Sequence, residues 1–222
     1  DRWIIARLYE TIASLEKSFA TYHFNEVANT LYDFVWRDVC DRYLEAVKST
    51  IDDDPNQQVV LGAVLDAVLR ILHPVCPFVS ETLWPHVSDV RTGEVAAITL
   101  PASELLTLAA WPAVDGETAD ATIISEFERA DALVAAIRVV RSEQQVKPRR
   151  MITMHLPLAL SPLLAIADGY VESLAGIALV EIGDAPTGAS PLVFEGKQIG
   201  LSDMVDAAAV VFAPDWIGSG GN

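Results

Sequence analysis

Five of the fifteen basic residues in this chain fall within thirteen positions: Arg138, Arg141, Lys147, Arg149 and Arg150. Arg138 and Arg141 lie three apart, which places them on one helical face, and the other three extend the cluster past the helix end. Such a set can neutralise phosphates on an RNA stem or pair with the acids of a neighbouring helix, with local Arg141–Glu143 pairing limiting its free charge. The remainder of the chain is acidic. Its 31 acids give a net charge of −16, which argues against non-specific nucleic-acid affinity. A local patch still acts within a Debye length of about 8–10 Å, so the total charge does not exclude RNA contact. Groupings that would support catalysis are missing from the sequence. There is no Gly-x-Ser-x-Gly elbow, no phosphate loop and no paired-histidine metal motif. Cys40 and Cys76 share no metal-ligand spacing with the four histidines, so no metal, bound cofactor or disulfide framework is expected, and a reducing cytoplasm fits. Cys40 reads as a small core residue and not as a nucleophile.

The elements that must position these residues are mostly helical. Ile4, Leu8, Ile12, Leu15, Phe19 and Tyr22 step by three or four and predict a helix over 2–22. A short connection at His23-Phe24 follows, with Asn25 as the expected N-cap of a second helix. That helix runs to Lys48, with Val27, Leu31, Phe34, Val35, Tyr43 and Ala46 on one side. Trp36 and Tyr43 are expected in the core, with Asp41 and Glu45 orienting the bundle through arginines such as Arg7 or Arg42. The Asp52–Asn56 run is a loop. A third helix carries Val60, Val64, Leu65, Val68, Leu69 and Leu72 until Pro74 and Pro77 interrupt it. Residues 87–114 read as an irregular connection. A fourth helix covers about 118–145, with Ile123, Phe127, Ala130, Val134 and Ile137 as its stripe. The fold class is therefore mainly α, an antiparallel helix bundle over 1–147.

After Pro148 the pattern changes to a small α+β unit over 148–222. Short strands are predicted at 151–156, 177–182, 192–194 and 198–201, with a helix start at Ser161-Pro162 and a turn at Glu195–Lys197. The glycine-rich end reads as a flexible tail, and the apolar run 207–213 has no assigned role. No apolar run reaches the roughly 18–20 residues of a membrane helix, and there is no secretory leader. The chain opens at Asp1 within a helical pattern, as expected of a piece of a longer protein.

Three segments, in the same order, carry a family resemblance. The first is Tyr22–Lys48, with Phe24, Asn25, Tyr32, Phe34, Trp36, Asp38, Cys40, Asp41, Tyr43, Leu44 and Glu45. The second is LRILHPVCPFVSETLW, Leu69 to Trp84. The third is AIRVVRSEQQVKPRR, Ala136 to Arg150. Together they resemble the anticodon-binding domain of valyl-tRNA synthetases. The second segment alone is shared with isoleucyl and leucyl enzymes. Its His73, Trp84 and prolines also have a purely structural reading, with Glu81 a candidate partner for the ring N–H groups. The likeness covers about 1–150 well and continues more weakly to about 205.

That resemblance implies a role in holding the anticodon stem-loop of a valine-specific tRNA, as part of a monomeric enzyme that attaches valine using ATP. The catalytic signatures of class I synthetases do not occur here, so ATP is expected in the catalytic domain of the parent chain and not in this one. It further implies that Phe24 and its preceding neighbour, His23, face the anticodon. His23 stands where a basic residue is expected. The alternative for Phe24 is a hydrophobic staple closing the helix hairpin. The candidate tRNA contacts are therefore His23, Phe24, Asn25, Arg138, Arg141, Lys147, Arg149 and Arg150. The rival reading is an acidic protein-interaction or scaffold module that kept the bundle and lost RNA affinity.

Overall fold

The computed structural model describes residues 1–48, 50–88, 93–95, 97–114, 116, 120–166 and 169–204. The expected tail and the apolar run 207–213 lie outside these residues. Two compact units divide at Arg129/Ala130, within a helix that crosses from one to the other. The sequence reading drew its boundary at 147/148, where helical periodicity gives way to strand.

The first unit is helical. α1 spans Arg2–Ala20, and its Ile4, Leu8, Ile12 and Leu15 are buried, each side chain contributing about 2 kcal/mol by leaving water. α2 spans Phe24–Tyr32 and packs on α1. Its N-cap is His23, not Asn25, because the first helical amides to find a carbonyl are those of Glu26 and Val27, both bonded to His23 O. The helix continues as a π-helical segment, Asp33–Tyr43, and closes with α3, Leu44–Val47.

The π geometry changes which residues face inward. Hydrogen bonds to the fifth residue widen each turn, so burial recurs every four or five positions, at Phe34, Asp38, Val39, Tyr43 and Val47. Val35 and Ala46 fall half out of the core. Trp36, expected inside, is exposed. Asp38 takes the ordering role expected of Asp41 and Glu45. Fully buried, it accepts from Arg7 of α1 at 2.9 and 3.2 Å, from Arg37 at 3.0 Å and from Arg42 at 3.2 Å. Glu45 instead meets Lys48 at 3.2 Å, and Asp41 is exposed.

α4, Pro55–Leu72, starts as its sequence demands. The Asp54 carboxylate accepts from the Asn56 and Gln57 amides, and Pro55 occupies the first turn. Its end at Leu72 and the start of α5, Pro77–Ser88, bracket the break expected from the two prolines. Val60, Leu65 and Leu72 are only half-buried, while Ala63, Val64, Ala67 and Ile71 fill the core side. The connection after α5 is held by polar anchors. Arg70, buried, donates to Pro101 O at 2.8 Å and to Ala110 O at 2.9 Å, and stands over the Trp84 ring. Trp84 donates to Ser103 O, not to Glu81. Glu81 caps a 3₁₀ turn by accepting from the Leu106 and Thr107 amides, and His73 meets Ser80 Oγ at 2.9 Å. Two short strands, β1 Ile98–Thr99 and β2 Ala113–Val114, pair antiparallel across this region. α6, Ala121–Glu143, follows; its Phe127 stacks on Trp3 at 3.9 Å within the first unit.

The second unit is the expected α+β element. β3 is Ile152–Leu156, α7 Pro162–Ile166, α8 Tyr170–Ala175, β4 Ile177–Ile182, β5 Ser190–Phe194 and β6 Lys197–Ser202. α8 and a 3₁₀ turn at Leu158–Leu160 are absent from the sequence reading. The strands form one mixed sheet in the order β4-β3-β6-β5, with β3 and β4 parallel and the other pairs antiparallel. Glu195 and Gly196, with φ of 49° and 70°, make the β5–β6 turn, the left-handed pair that a tight hairpin requires. His155 ties three strands together through Glu181 at 3.0 Å and Ser202 at 2.9 Å.

Candidate nucleic-acid interface

The α1–α2 corner is built by a helix-ending device that brings aromatic rings to the surface. The Tyr22 amide donates to Phe19 O at 3.2 Å and the His23 amide to Ser18 O at 2.9 Å. This is the Schellman pattern, whose pivot adopts the left-handed conformation and is usually glycine. Here the pivot is Tyr22, with φ of 60°. A tyrosine held there costs the fold about 1 kcal/mol or more, and such strain concentrates where function requires it.

The consequence is an exposed aromatic corner. Tyr22 is 78% exposed and Phe24 60% exposed, with their rings edge to face at 6.2 Å. His23 and Asn25 are exposed beside them. His23 is oriented by its own helix start, with Nδ1 lying 3.1 Å from Thr21 Oγ1 and 3.7 Å from Glu26 Oε2. The structure thus assembles His23, Phe24 and Asn25 at one corner, with Phe24 standing out from the surface.

The basic residues belong to the second unit, and they are not equivalent. Arg141 is 8% exposed, and its guanidinium donates to Arg150 O at 2.7 Å, Lys147 O at 3.3 Å and Gly176 O at 3.3 Å. Burial pulls its pKa below the usual arginine value, since desolvation disfavours the charged form. It therefore acts as a brace that fixes the path of 147–150, and its donors are not presented to a phosphate. Arg138 donates to Leu174 O and Arg150 to Asp203 O, each through Nε. Lys147 and Arg149 are exposed.

Two further features escaped the sequence reading. Tyr32 and Trp36 are 65% and 57% exposed, with rings nearly parallel at 12° and 6.4 Å apart; their spacing of four was the available signal, masked by the assignment of Trp36 to the core. Asp38 is the other, flanked in sequence by Arg37 and Arg42. Arg37 is held in its charged form, its pKa raised mainly by the hydrogen bond to Asp38. A cleft of about 240 Å³ between α1 and the π-helical segment is lined by Arg7 and Arg37 but also by Glu10 and Asp33, so it is charge-balanced. Among the described residues no cluster of histidine, cysteine and acidic side chains could hold a metal ion, and no helix is long and apolar enough to cross a membrane.

Residues 1–156, which hold the helical unit and this corner, match the model of the anticodon-binding domain of tRNA ligases. The chain belongs to that family. The similar proteins are valine–tRNA ligases. That of Corynebacterium jeikeium is 34% identical over 229 aligned positions, covering 94% of this chain and 24% of the relative. That of Nocardia farcinica is 38% identical over 160, covering 70% and 16%. That of Rhodopirellula baltica is 30% identical over 192, covering 84% and 19%. The chain thus spans about a fifth of the length of the relatives it matches.

Proposed function

We propose that this chain holds the anticodon stem-loop of valine tRNA for a valine–tRNA ligase whose ATP-dependent chemistry lies in a catalytic domain of the same polypeptide. On this reading the chain alone is catalytically inactive, and the parent enzyme works as a monomer in the cytoplasm. The observation that carries it is the aromatic corner. Anticodon bases are unstacked, and proteins read such loops by aromatic stacking and by hydrogen bonds to base edges. The exposed Phe24 ring offers a stacking surface worth about 1–3 kcal/mol per base, and the Tyr22 ring packed edge-on limits its motion. Asn25 supplies both a donor and an acceptor for a base edge. Lys147 and Arg149 supply positive charge for the phosphate backbone, where contacts position without specifying.

The test is fluorescence anisotropy of the 222-residue chain with valine tRNA and with the same tRNA carrying a changed anticodon. Preference for the unchanged tRNA at low salt supports the reading; equal or absent binding at every salt concentration favours an acidic protein-interaction module. In the full-length ligase, Phe24→Ala is expected to lower kcat/KM for tRNA about 5- to 100-fold, the range a lost stacked base gives. Unchanged aminoacylation by a folded variant removes Phe24 from the site.

A further inference from the structure

We propose that Tyr32 and Trp36 form a second stacking platform for unpaired RNA bases, continuing the Phe24 corner along the outer face of α2. This rests on the reading of the chain as an anticodon-loop binder. Phe24, Ala28, Tyr32 and Trp36 recur every fourth residue, and all four are exposed. Asn25 and Asn29, also exposed, flank this row. From Phe24 to Tyr32 is about 12 Å at 1.5 Å per residue, the run of three or four stacked nucleotides at ~3.4 Å each, and Trp36 lies about one turn further on, in the π-helical segment. The row is thus as long as the unpaired part of a short loop.

Two observations favour RNA over a protein as the occupant. The first is electrostatic. The chain carries 31 acids, yet the row and its flanking asparagines hold none, and the nearest acids are engaged. Glu26 accepts from Ser18 and lies 3.7 Å from His23, Asp33 lies 3.7 Å from Arg37, and Asp38 is enclosed by Arg7, Arg37 and Arg42. The two acids nearest the ring pair in sequence, Asp33 and Asp38, are thus each offset by arginine. The second is composition. The row offers flat rings and amides, and no exposed leucine, isoleucine, valine or methionine. The α5 region differs: there Val75, Phe78, Val79 and Leu83 are exposed together, the aliphatic mixture expected where protein packs on protein. Rings bordered by amides suit base faces and edges.

The near-parallel rings of Tyr32 and Trp36 present outer faces for bases without a sequence requirement, because every base has a π-face. The platform therefore holds the loop, while specificity resides at the corner.

The probe is a fluorescein-labelled RNA hairpin carrying the valine anticodon loop, titrated into the 222-residue chain across a salt series. Tyr32→Ala and Trp36→Ala are each expected to weaken binding about 5- to 100-fold, equally for the hairpin and for one with a changed anticodon. Trp36→Phe should stay within about twofold of the parent. The slope of log affinity against log salt should not change, because stacking releases no counterions. Quenching of Trp36 fluorescence by the hairpin, absent in Trp36→Phe, provides a readout that needs no alanine variant. Wild-type affinity in both alanine variants, with affinity lost in Phe24→Ala, overturns the platform and leaves the corner standing. A hairpin bound by neither the parent nor any variant overturns both. Unchanged RNA binding with aminoacylation lost in the full-length ligase assigns the face to a protein contact, and also overturns the platform.

Discussion

The amide of His23 donates to the carbonyl of Ser18 at 2.9 Å, and this one bond commits Tyr22 to a positive φ of 60°. Glycine would hold that conformation at no steric cost, so the tyrosine is retained at the expense of stability. Tyr22→Gly is therefore expected to be neutral or to stabilise the chain by up to about 1 kcal/mol, the relieved strain being partly offset by the freer unfolded chain. The same change removes the ring that steadies Phe24, so RNA affinity should fall as stability holds or rises. Tyr22→Ala keeps the strain and should gain nothing in stability. Denaturant unfolding and hairpin anisotropy on the two variants decide it; a clear loss of stability in Tyr22→Gly would mean that the exposed ring contributes packing.

Asp38 organises the other end of the same helix. Removing the carboxylate leaves three guanidiniums facing one another around a vacated buried site. Breaking a buried ion pair typically costs about 3–5 kcal/mol. The low end applies here, because the Arg7, Arg37 and Arg42 side chains keep 19%, 44% and 21% of their surface in water. Asp38→Ala should thus destabilise the first unit by about 3 kcal/mol. Arg37→Gln, on the exposed side of the cluster, should cost less than about 1 kcal/mol. The check is urea unfolding followed by tryptophan fluorescence, with equal costs for the two variants refuting the hub.

Residue by residue, the sequence disclosed what depends on period and punctuation. The helix break in the aspartate run before Pro55 and the one at Pro74 and Pro77, the strand-rich second unit and the Glu195-Gly196 turn all follow from local chemistry. The core of the second helix did not: a period of 3.6 predicts Val35 and Ala46 on the inner side, whereas the wider π turn brings in Asp38 and Val39 and leaves Trp36, expected in the core, exposed. Asp41 and Glu45 are the acids expected to orient the bundle, but Asp38 is the one that the wider turn directs to Arg7. In the site, the exposed corner was legible from Phe24 and its neighbours. The division of labour among the basic residues was not: Arg138, Arg141 and Arg150 reach carbonyls 36, 35 and 53 positions away, and no local pattern encodes such partners.

The two cysteines should react at different rates. Cys76 is exposed, while Cys40 is half-buried and its thiol pKa is raised, chiefly by desolvation and secondarily by the charge of Asp41. The thiolate is the reactive form, so Cys40 is less accessible than Cys76 and less ionised at pH 8 than an ordinary thiol. Alkylation by iodoacetamide, followed by peptide mass spectrometry, should modify Cys76 first. Modification of Cys40 should accelerate as the pH is raised further or on unfolding. Preferential labelling of Cys40 at pH 8 would contradict this environment.

Salt dependence separates the bracing arginine from the exposed bases. A phosphate contact contributes about one to the slope of log affinity against log salt, whereas a buried guanidinium bonded to carbonyls contributes nothing to it. Lys147→Gln and Arg149→Gln are expected to lower that slope by about one each, and Arg149→Gln to leave unfolding almost unchanged. Arg141→Gln should do the reverse. It strips the Arg150, Lys147 and Gly176 carbonyls of a charged donor, and hydrogen bonds to charged groups are worth about 1.5–3 kcal/mol each in favourable cases; the long pair at 3.3 Å lies below that range, so a total of about 3 kcal/mol is expected. Gly176 supplies an independent check. With φ of 67°, a Cβ there would lie 3.1 Å from the Arg141 guanidinium, so Gly176→Ala should also destabilise the second unit, through backbone strain and crowding of the same brace. Thermal melts and salt titrations on these four variants suffice. A reduced slope in Arg141→Gln with stability intact would return that residue to the RNA-contacting set.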